Sequence, residues 1–152
     1  MANQLSNILK EVVSVFNSMP LVNTVVFKDD NVVDVEKENV YPLVSISLLS
    51  SPAPEMNLRE FRLAFEVYNQ RDDRKIATPS KLMLDTSYID NINICDTIAN
   101  NFVLDFFKRQ NQYDIFISDG SISEFEPVRK DERNCLDGIK FEATFYTHQN
   151  NI

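Results

Sequence analysis

Residues 60–70 read EFRLAFEVYNQ, and this stretch decides the fold. Phe61, Leu63, Phe65 and Val67 take every second position, with Glu60, Arg62 and Glu66 between them. Successive side chains of a β-strand point to opposite faces. Four cycles of that period give one face for a core and one for water or an interface. A second run matches it near the end of the chain. In GIKFEATFYTH, residues 138–148, Ile139, Phe141, Ala143 and Phe145 share one face, and Lys140, Glu142, Thr144 and Tyr146 share the other.

Shorter strands are expected upstream. NTVVF at 23–27 and NVVDVEK at 31–37 are two, with KDDN as the turn between them. YPLVSISLL at 41–49 is a third, where Val44, Ile46 and Leu48 alternate with Ser45 and Ser47. Pro42 has no N–H for a ladder, so it belongs at the start of that strand or on an edge. SSPAPEMN at 50–57 is a loop. Late in the chain, QYDIFIS at 112–118 is rich in β-branched and aromatic residues and reads as a strand, with Asp119-Gly120 as its turn. SISEFEPV leads out, and RKDERN at 129–134 is a charged loop.

Two helices complete the pattern. Leu5, Ile8, Leu9, Val12, Val15, Phe16 and Met19 recur at three- and four-residue spacing, the stripe of an amphipathic helix. Pro20 ends it, because the residue before a proline leaves the helical region. Asp90 or Asn91 is placed to cap a second helix. Its stripe is Ile94, Cys95, Ile98, Ala99, Phe102, Val103, Phe106 and Phe107. It runs to about residue 110, with Lys108 and Arg109 in a last turn where cations suit the dipole. The expected fold is α+β, a mostly antiparallel β-sheet with two amphipathic helices packed on one face. One domain covers 1–152, with a long loop or arm at about 70–90.

Composition narrows the chemistry. Only 2 glycines argue against glycine-rich phosphate loops and flexible linkers. No apolar run approaches the ~20 residues of a membrane span, so none is expected. The N-terminal stretch has no basic region followed by an apolar one, so no signal peptide is expected either. Cys95 and Cys135 then read as free thiols in a reducing compartment, Cys95 as a small core residue. A formal charge of −8 disfavours nonspecific nucleic-acid binding, which needs Lys and Arg to displace counterions. It does not exclude an anionic wall past which DNA slides without sticking.

SDGSISEFE at 118–126 has the Gly, Ile and Glu spacing of a calcium loop. In that frame Ile115 and Ile117 occupy positions that must supply oxygen, so the stretch is a turn. His148 is the only histidine, with no nucleophile elbow and no oxyanion turn to serve it. One His and two separated Cys cannot build a zinc site in one chain. Asp72 and Asp73 lie between Arg71 and Arg74, which compensate them. Glu124 and Glu126 fall on one exposed strand face. No cofactor and no enzymatic activity are expected. The remaining candidates lie in the arm. Arg71, Arg74, Lys75 and Lys81 are the basic cluster, and Ile76, Leu82 and Met83 are apolar residues without a period. An acidic surface on a neighbouring copy suits the first group, and a partner surface suits the second.

The whole order of elements resembles the tail-terminator and head–tail connector proteins of tailed bacteriophages. The stretch 124–147, EFEPVRKDERNCLDGIKFEATFYT, carries most of the likeness. An acidic, aromatic and proline stretch precedes a charged loop, and then Leu136, Asp137 and Gly138 open the long final strand. The Asn-, Asp- and Lys-rich composition suits an AT-rich phage, such as the crAss-like podoviruses, whose tails contain stacked ring proteins. The resemblance implies a structural virion protein of the neck or tail, made in the host cytoplasm. Its partners would be copies of itself in a six- or twelve-fold ring, and adjacent portal, connector or tail proteins. DNA would pass through the lumen without specific binding. The arm would meet neighbours through Arg71, Arg74, Lys75, Ile76, Leu82 and Met83. A soluble monomeric or dimeric binding module or inhibitor is the alternative.

Overall fold

The structure is a computed structural model that describes residues 4–27, 40–53, 58–71, 86–113, 115–117, 119–130 and 135–148. The expected strand at 31–37 and most of the arm, 72–85, lie outside the described residues.

Helix α1 spans Gln4–Asn17, and its stripe faces inward with Ile8, Val12, Val15 and Phe16 fully buried. Ser18 closes it by donating its hydroxyl to the Val15 carbonyl at 2.7 Å. Strand β1 is Thr24–Phe27 and β2 is Leu43–Ser50. Pro42 stands just before β2, where its missing N–H costs no ladder bond, and its carbonyl accepts from the Asn23 N–H at 2.9 Å. Strand β3 is Leu58–Gln70, α2 is Thr86–Tyr113, β4 is Ile115–Ile117, β5 is Glu126–Lys130 and β6 is Leu136–His148.

The sheet runs β1-β2-β3-β6-β4, and β5 also pairs with β6. Only β1 and β2 are parallel. The two alternating runs that define the fold are its central pair. They match residue for residue from Leu58 opposite His148 to Gln70 opposite Leu136. Both helices lie on the face that carries Phe61, Leu63, Phe65, Val67, Ile139, Phe141, Ala143 and Phe145, all buried. Aromatic rings fill the space between. Phe16 stacks on Phe102 at 4.3 Å and Phe65 on Phe141 at 4.9 Å. Burying each such ring stabilises the fold by about 1.5–3 kcal/mol. The architecture is α+β as the sequence implies.

Four details differ from the sequence reading. Helix α2 starts at Thr86, ahead of the Asp90 and Asn91 cap positions, and it runs on to Tyr113. Nothing between these ends is Gly or Pro, so nothing stops it. Asn91 does not cap, because its side chain is turned into the protein. Lys108 and Arg109 therefore precede the last turn.

Next, Leu48 keeps the phase of Ile46 yet is 40% exposed, because β1 ends beside Ile46. Glu124 precedes β5 and is not a strand residue, whereas Arg129 and Lys130 of the expected charged loop are the last two residues of that strand.

The fourth difference concerns Asp119-Gly120, which forms a short 3-10 turn and not a hairpin. β4 and β5 do not pair with each other. They lie end to end along the same edge of β6, opposite 145–147 and 136–140. Between them Ser123 takes the place of a ladder residue. Its N–H donates to the Glu142 carbonyl at 2.9 Å, and its hydroxyl accepts from the Glu142 N–H at 2.7 Å. Ser121 donates to the Thr144 carbonyl at 3.3 Å. Ile122 and Phe125 pack against the core and hold the stretch on the sheet.

Candidate functional site

The step Leu136-Asp137-Gly138 opens β6. Period two puts Asp137 in phase with Ile139 and Phe141, so its side chain turns toward the helices. It is a carboxylate in a core position, and it is 0% exposed. A buried charge persists only with partners. Asn69 stands opposite on β3 and Arg129 opposite on β5.

Four side chains from three other elements converge there. Arg71, one residue past β3, donates from Nε to Asp137 Oδ2 at 3.2 Å. Asn91 of α2 donates from Nδ2 to the same oxygen at 3.2 Å. Asn69 Nδ2 donates to Asn91 Oδ1 at 2.9 Å and fixes that amide. Arg129 brings its Nε to 3.5 Å from Oδ1, an ion contact without hydrogen-bond geometry. The backbone joins in, since the Arg71 N–H donates to the Cys135 carbonyl at 2.8 Å.

Cys95 lies beneath, with its thiol donating to the Asp137 carbonyl at 3.7 Å. Burial, and then the Asp137 charge, push the Cys95 thiol up to about 12. It is a protonated core group, as the sequence reading has it, and no nucleophile.

The cluster has a clear position. Arg71 is the last described residue before the 72–85 segment, and Asn91 lies in the second turn of the helix that follows it. Both ends of that segment are therefore tied to one buried carboxylate. Of the residues assigned to the arm, Arg71 is at this site. Arg74, Lys75, Ile76, Leu82 and Met83 lie outside the described residues. Asp137, Asn91 and Arg129 are not site candidates in the sequence reading, where Asn91 is a cap candidate and Asp137 part of the step that opens the last strand. The signal for Asp137 was present, an acid on the buried phase of an alternating strand.

A second concavity crosses the other face of the sheet. It is a groove of about 300 Å³ lined by Ala64, Glu66, Glu124, Glu126, Lys140 and Glu142, among others. Glu66, Glu126, Lys140 and Glu142 among its charges have partners. Arg62 Nη2 donates to Glu142 Oε2 at 2.5 Å, Lys140 lies 3.5 Å from Glu126, and Tyr68 donates to Glu66. Among the described residues no three His, Cys, Asp or Glu gather as a metal site. His148 lies at the far end of β6 from Asp137, in a T-shaped contact with Phe116 at a ring-centroid distance of 5.6 Å. No helix among the described residues is long and apolar enough to cross a membrane.

No protein-family model matches this chain. A search of curated proteins finds no match either.

Proposed function

We propose that this chain is a structural virion protein. It forms a cyclic homo-oligomeric ring in the portal–tail assembly, and DNA passes through the ring. Adjacent portal, connector or tail proteins are its other neighbours. The observation that carries this reading is the tie at the root of the 72–85 segment. β3 and α2 are fastened to each other through Asp137 at the two flanks of that segment. The 14 residues 72–85 include the apolar Ile76, Leu82 and Met83, which this reading assigns to contacts between copies. The likeness of 124–147 to phage connector and terminator proteins supports the same reading. So does the step Leu136-Asp137-Gly138, whose members each have a packing or charge role here.

The mechanism is assembly. Head-to-tail contacts between identical copies close into a ring when the rotation per copy divides a full turn. The net charge of −8 suits a channel that conducts DNA without holding it. Electron microscopy of the purified protein tests this directly, with closed rings as the expected result.

A further inference from the structure

No further inference is drawn: the strongest candidate, the groove across the outer face of the sheet lined by Glu66, Glu124, Glu126 and Glu142, is an acidic cluster in which Glu66, Glu126 and Glu142 meet Tyr68, Lys140 and Arg62 within the chain, and nothing in the structure shows what else would occupy it.

Discussion

A Cβ placed on Gly138 would overlap the Val67 carbonyl oxygen and lie 2.8 Å from Tyr68 Cδ1. Tyr68 stands directly opposite on β3 and needs the empty space. Gly138→Ala should therefore cost about 1–3 kcal/mol, the range for forcing extra carbon into a packed site. A denaturation midpoint equal to wild type would show that the strands give way at no cost. Asp137 is constrained by charge instead. Asp137→Ala leaves Arg71 and Asn91 without their common acceptor and takes a counter-charge from Arg129, and should cost about 3 kcal/mol. The same melt checks it. Cys95 provides a test by pH. An ordinary thiol ionises near 8.5 and alkylates readily above that. With its thiol pushed up to about 12, Cys95 stays protonated in the folded chain, so it should resist iodoacetamide at pH 9 and react only in denaturant. The sign for stability follows. The folded chain keeps a proton that the unfolded chain gives up above about 8.5, so this contribution declines as pH climbs from there toward 12. Mass spectrometry of labelled peptides reads the reactivity, and fast native labelling at Cys95 would contradict its burial.

At the scale of elements, the central pair was legible because both strands alternate cleanly and bury one face. Phe65 touches Phe16, Phe102, Phe141 and Phe145 at ring-centroid distances of 4.9–6.0 Å. Phe65→Ala should cost ~3–5 kcal/mol, while Glu124→Ala on the exposed side should stay within ~0.5 kcal/mol. Equal losses in urea melts would mean that the buried face is misassigned. The stripes of both helices were legible for the same reason, since three- and four-residue spacing leaves few alternatives. The start of α2 was not. Asp90 and Asn91 have the chemistry of a cap, but a long-range hydrogen bond to Asp137 engages Asn91 within the helix. The Asp119-Gly120 turn was misread because a hairpin signal is local. Which strands pair depends on β6, thirteen residues long and able to hold β4 and β5 in line on one edge. The site itself was half legible. Arg71 drew notice as part of a basic run, whereas its partner lies 66 positions away and no local pattern joins them.

At the scale of the molecule, the proposed ring reading assigns folding to the tie at Asp137 and assembly to residues 72–85. Replacing 72–85 with a short Gly-Ser linker should leave the subunit folded, because closing a shorter loop costs little. The same replacement should abolish assembly, as Ile76, Leu82 and Met83 are lost with Arg74 and Lys75. Circular dichroism and mass photometry on one preparation check both halves. A replaced chain that still forms full rings would remove the segment from the interface. Ring formation is the claim on which the functional account turns, and native mass spectrometry of the purified wild-type chain, with micrographs of the same sample, tests it most directly. Closed species of six or twelve copies, weakened by salt, are the expected result. A monomer or dimer at every concentration up to that of a crowded assembly site would contradict it.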